Sequence, residues 1–107
     1  MPADRRAHAR IRGPFDATWS GVSGTVRVAD FSLTGCFVEG LASPAPGEAV
    51  LVTLRLPGAA PVPATGRVAY VVPLQGFAVM FDEDERLQAA LAAAIRRLQP
   101  VTYSTNR

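Results

Sequence analysis

Glycine and proline punctuate this chain from Phe15 to Phe81 and leave only strand-length pieces between them. Such pieces are too short for stable helices but right for strands. Phe15 to Ser20 is one, ending near Gly21, and Thr25 to Phe31 alternates around Val26 and Val28. Gly35 to Glu39 is a third, with Phe37 and Val38. Residues 42–47, Ala-Ser-Pro-Ala-Pro-Gly, form a loop. In Glu48 to Leu56, Val50, Val52, Leu54 and Leu56 point one way, Thr53 and Arg55 the other. After a loop from Pro57-Gly58 to Pro63, Ala64 to Val72 and Gln75 to Phe81 read as a hairpin around Pro73-Leu74.

The punctuation then stops until Pro100, and the pattern changes period. Leu87, Leu91, Ile95 and Leu98 share one helical face with Ala94. Asp82 is the expected N-cap, with Glu85 completing a capping box, and Arg96-Arg97 lie at the end the helix dipole favours. Short strands followed by one amphipathic helix predict a mainly β domain, a small antiparallel barrel or sandwich with the helix over an open end or face.

At 107 residues the chain is one domain with a modest core. Residues 1–13, basic and closed by Gly13-Pro14, read as a flexible arm; 14–98 form the folded unit; 99–107 read as a frayed tail. No apolar run reaches the ~18 residues of a membrane helix, and the charged start Asp4-Arg5-Arg6 is not followed by the apolar stretch of a signal peptide. With a single cysteine, Cys36, an internal disulfide is impossible, and a cytoplasmic protein is expected. The one histidine, His8, the lone cysteine, and the absence of paired carboxylates outside the helix cap leave no evident catalytic or metal-binding set, so an enzyme is not expected and no cofactor is called for.

Net charge is only +2, yet all 11 basic residues are arginine, and Arg5, Arg6, Arg10 and Arg12 fall in the first twelve positions. Guanidinium groups present planar forks that suit phosphates and the Hoogsteen edge of guanine. Two segments carry the specific signal. Arg6-Ala7-His8-Ala9-Arg10 is an RxxxR, preceded by Arg5, and after nineteen residues Asp30-Phe31-Ser32-Leu33-Thr34-Gly35 is a DxSxxG. Together they resemble the signature of the PilZ family, at the short edge of its spacing; Gly35-Cys36-Phe37 and Gly76-Phe77-Ala78-Val79-Met80-Phe81 resemble two further family features, with Ala78 where a second glycine is common. The resemblance spans roughly residues 4 to 98.

That resemblance implies a six-stranded antiparallel barrel that binds the bacterial second messenger cyclic di-GMP, a dinucleotide with two phosphodiesters and two guanines. Arg6 and Arg10 would donate to phosphate or guanine. Asp30 would accept from guanine N–H groups, Ser32 would donate or accept, and Gly35 would allow close approach to the backbone. An arginine directly before RxxxR, here Arg5, is associated in this family with a stacked pair of ligand molecules. The expected behaviour is that of a sensor whose arm orders on ligand binding and changes a surface seen by an effector protein. Alternatives are an adaptor that binds no nucleotide and a barrel for single-stranded nucleic acid. The latter needs exposed aromatics among basic residues, and aromatics are 7% of the chain, mostly at core-like positions, so no nucleic acid polymer is expected as partner.

Overall fold

The computed structural model describes residues 9–99. Six strands, β1 (Ile11–Trp19), β2 (Thr25–Phe31), β3 (Gly35–Glu39), β4 (Ala49–Arg55), β5 (Val62–Val72) and β6 (Gly76–Phe81), precede one helix, α1 (Glu85–Leu98). The strands close into an antiparallel barrel in the order β1-β2-β3-β6-β5-β4, with β4 returning to β1. The expected mainly β class is therefore the observed one, and closure selects the barrel over the sandwich. Closing a sheet leaves no unpaired edge.

Alternation fills the interior. Val50, Val52 and Leu54 of β4, with Leu56 just beyond it, are all buried, as are Val62, Ala64 and Val68 of β5. Trp19 is buried against Phe77 at a ring separation of 4.8 Å. Phe31, wholly buried, meets Phe15 edge-on at 5.6 Å. On α1 the face of Leu87, Leu91, Ala94 and Ile95 is buried in the same core.

Two boundaries differ from the sequence expectation. β1 begins at Ile11, not Phe15, so residues 11–13 open the first strand instead of belonging to an arm. Ile11 pairs with Phe31 and Arg12 with Asp30, and burial of Ile11 repays ordering of this stretch. The helix is capped by Asp84, not Asp82: the Asp84 Oδ1 accepts from the Leu87 backbone N–H at 2.9 Å. Asp82 is still tied to the barrel, its N–H donating to the Thr65 carbonyl at 2.9 Å, and the chain stays extended through Asp84 before the helix begins. Asp84→Ala should cost about 1 kcal/mol and lower the melting midpoint by roughly 4–8 °C, since each lost cap or kilocalorie has that scale in a domain this small. Asp82→Ala should shift the midpoint much less; comparison of the two thermal unfolding curves checks the assignment.

Three β-bulges interrupt the ladders, between Arg12 and Phe15, between Val28 and Asp30, and between Val68 and Tyr70. The two on β2 and β5, at Val28/Asp30 and Val68/Tyr70, reset the in-out alternation, whereas β1 keeps Ile11, Ala17 and Trp19 buried in one parity. Strict alternation from buried Val28 would send Asp30 inward and Phe31 outward; with the bulge, Phe31 is buried and Asp30 faces out. On β5, alternation from Val68 would bury Tyr70, yet Tyr70 is exposed.

Candidate functional site

The two bulges place Asp30 and Tyr70 on one outward row. Across the barrel, Arg12 of β1 lies opposite Asp30 of β2, Asp30 opposite Phe37 of β3, Phe37 opposite Ala78 of β6, and Ala78 opposite Tyr70 of β5. Neighbouring strands lie about 4.8 Å apart, so the row from Asp30 to Tyr70 spans about 14 Å. It forms part of an open groove of about 1370 Å³. Arg10 and Asp30 stand at one side. Phe37, Ala78, Tyr70 and Met80 form an apolar floor, and the start of α1 with the residues just before it, Glu83, Asp84, Glu85 and Gln88, lines another part of the groove.

Arg10 and Asp30, twenty residues apart in sequence, meet in an ion pair: Nη1 of Arg10 donates to Oδ1 of Asp30 at 2.5 Å. The second arginine of RxxxR is thus joined to the acid of DxSxxG. Arg5 and Arg6 lie outside the described residues, as does His8. The 30–35 turn is held by its own hydrogen bonds. The Ser32 N–H donates to the Gly35 carbonyl at 2.8 Å, and the Thr34 N–H donates to Ser32 Oγ at 3.2 Å. Ser32 is buried, so its hydroxyl serves the turn from within, next to the exposed Thr34 hydroxyl at 3.2 Å. Two bonds tie the turn to its surroundings: Phe81 N–H to the Thr34 carbonyl at 2.8 Å and Gln88 Nε2 to the Leu33 carbonyl at 3.1 Å. Gly35 is needed for close approach, because a Cβ there would run into the Val79 carbonyl of β6.

Below the turn, Cys36 is buried, and desolvation of its thiolate, followed by the Asp30 charge and opposed by Arg10, pushes its pKa to about 12. It is an inert packing residue. Among the described residues no cluster of histidine, cysteine or carboxylate is arranged to hold a metal ion, and no helix is long and apolar enough to cross a membrane. The described charges lining the groove are one arginine, Arg10, against four carboxylates, Asp30, Glu83, Asp84 and Glu85.

Sequence reasoning missed Tyr70, Phe37 and Met80 as groove residues, since strand periodicity assigns Tyr70 to the core. Phe37 and Met80 carried a weak signal in their positions on alternate sides of buried Val38 and Val79.

A closed six-stranded barrel, an RxxxR arginine joined to the acid of DxSxxG, and a C-terminal helix define a class of small helix-capped β-barrel domain. The PilZ domain family profile matches residues 4–98, and the chain belongs to that family, whose members are binding and adaptor domains for cyclic di-GMP signalling. Comparison with curated protein sequences finds no match. Solved structures share the fold, among them the following two. The inhibitor of motility MotI/DgrA of Bacillus subtilis superposes with a TM-score of 0.71 at 20% identity over 96% of this chain. This chain spans about half of that protein, 53% of its length. The PilZ domain of CeSA from a cellulose-synthesising bacterium superposes with a TM-score of 0.63 at 15% identity, covering 86% of this chain and 99% of that domain.

Proposed function

We propose that this chain is a cytoplasmic cyclic di-GMP sensor that binds its ligand in the groove between the Asp30–Gly35 turn and α1, closed by the N-terminal arginines. The observation that carries the reading is the convergence of Arg10 and Asp30 at the edge of an apolar floor. Each group has a chemical counterpart on the ligand. Arg6 and Arg10 supply forked donors to phosphate or to guanine O6 and N7. Asp30 accepts from the guanine N1–H and N2–H edge. The Tyr70 ring offers a face to a base, a contact that contributes about 1–3 kcal/mol per stacked base. Ser32 and Gly35 act by holding the turn in shape, and Thr34 presents the accessible hydroxyl.

Magnitudes support the idea. Charge-assisted hydrogen bonds contribute about 1.5–3 kcal/mol each, so four give about 6–12 before ordering costs, against the roughly 8 that micromolar binding requires. The four groove carboxylates oppose a dianion, so one described arginine is not enough to offset them. The reading therefore assigns Arg5 and Arg6 an essential share of the charge. Ordering of the arm on the ligand would alter the surface offered to an effector protein. MotI/DgrA is an inhibitor of motility, and a comparable output through a protein partner is part of the proposal.

The acidic wall of Glu83, Asp84 and Glu85 favours a second reading, an adaptor that binds no nucleotide. Calorimetric titration with cyclic di-GMP separates the two. Saturable heat at micromolar ligand, with a rise in melting midpoint at excess ligand, is expected; no heat and no shift would leave the adaptor. Saturation at two ligands per chain is the outcome that Arg5 predicts, and saturation at one would remove the stacked pair while keeping the sensor.

A further inference from the structure

We infer that the end of the barrel opposite the Asp30–Gly35 turn is a self-association surface, through which two copies of this chain meet about a two-fold axis. The first observation is Leu74. Pro73 and Leu74 are the central residues of a turn closed by the Gln75 N–H on the Val72 carbonyl at 2.9 Å. Leu74 has φ of 68°, in the left-handed region where a β-carbon is disfavoured and where glycine or asparagine normally sits. Its side chain is 82% exposed. Backbone strain and apolar exposure thus coincide in one residue, and nothing within the fold offsets either.

The second observation is what stands beside it. The Gly40 N–H donates to the Gln75 carbonyl at 3.0 Å, which brings the loop after β3 against this turn. The next residue, Leu41, is 76% exposed. Val22, on the β1–β2 turn at the same end, is also exposed. The three segments forming this rim, residues 20–25, 39–43 and 72–75, contain a single charged residue, Glu39.

Charge identifies the occupant. Arg27 is the cross-strand partner of Glu39, both are exposed, and the one ion pair among the described residues is Arg10–Asp30, so neither is paired with another described residue. A two-fold axis through the rim sets Arg27 of each copy against Glu39 of the other, with the leucines between them, as an isologous contact requires. An anionic bilayer would demand a surplus of cations, and this rim has none. The three segments fall short of the about 20–30 residues a side of a standard interface, so the dimer is weak and depends on concentration. It leaves both grooves open, and ligand affinity is independent of it.

Sedimentation equilibrium from low micromolar to near-millimolar protein tests this. The parent is expected to move from monomer to dimer mass across that range. Leu74→Asn with Leu41→Ser, chosen because asparagine tolerates the left-handed region, should stay monomeric with an undiminished melting midpoint. Glu39→Arg should weaken association at least several-fold, and adding Arg27→Glu should restore it. A parent that stays monomeric throughout overturns the inference, including one that instead sediments with phosphatidylcholine vesicles. So does a Leu74→Asn, Leu41→Ser protein that dimerises like the parent.

Discussion

Arg10→Ala is expected to weaken cyclic di-GMP binding by about 10- to 100-fold while leaving the fold intact. The affinity loss follows from removing one charge-assisted bond of roughly 1.5–3 kcal/mol. It is compounded by the groove itself, since Arg10 is the only described cation on its lining against four carboxylates. The fold survives because the Arg10 side chain is 57% exposed, and a pair so open to water contributes at most about 1 kcal/mol to stability. Arg6→Ala should behave alike. Asp30→Ala is the sharper companion: it lowers the negative charge of the groove, so long-range electrostatics alone would make the ligand bind more tightly, whereas loss of a guanine acceptor makes it bind more weakly. Titrations of parent and variants, with melting curves as controls, read both effects. Parent-like affinity for Arg10→Ala would remove this arginine from the site.

Phe31→Ala should be the most damaging change to stability within the motif. Phe31 occupies a variable position of DxSxxG, but its ring is wholly buried and contacts Phe15 edge-on. Truncating a buried phenylalanine costs about 3–5 kcal/mol, a large share of the roughly 5–15 kcal/mol that holds such a domain together. Chemical denaturation should show a lower midpoint with little change in slope, provided unfolding remains two-state. The effect should be far larger than for Asp84→Ala. A loss below about 1 kcal/mol would mean that the ring is not the anchor of the turn and that the cavity refills at little cost.

The site also divides motif residues into two kinds. Asp30 and Arg10 present their charges to the groove, whereas Phe31, Ser32 and Gly35 form the support that holds the turn. A motif pattern cannot tell these apart, because both kinds recur at set spacing. Burial distinguishes them: the Ser32 hydroxyl is occupied inside the turn, and Gly35 lies where a side chain would strike β6.

Local chemistry was enough to place most of the architecture. Glycine and proline marked the turns, the two-residue period of Val50 to Leu56 named its buried face, and leucines at helical spacing named the face of α1 that enters the core. These signals were legible because each depends on neighbours within one or two turns of chain. The N-cap differs for the opposite reason: Asp82 and Asp84 both suit the role, and where the chain leaves β6, still bonded to Thr65 on a distant strand at Asp82, decides that Asp84 takes it. Likewise the start of β1 depends on the partners of Ile11 and Arg12 across the barrel. The groove floor was beyond sequence reading altogether. Bulges near Ala29 and Ala69 turn Asp30 and Tyr70 outward, and cross-strand register then aligns them with Phe37 and Ala78. Periodicity carries information along one strand, but a bulge is set by two strands whose lengths must be reconciled as the barrel closes, and that condition is not written in either strand alone.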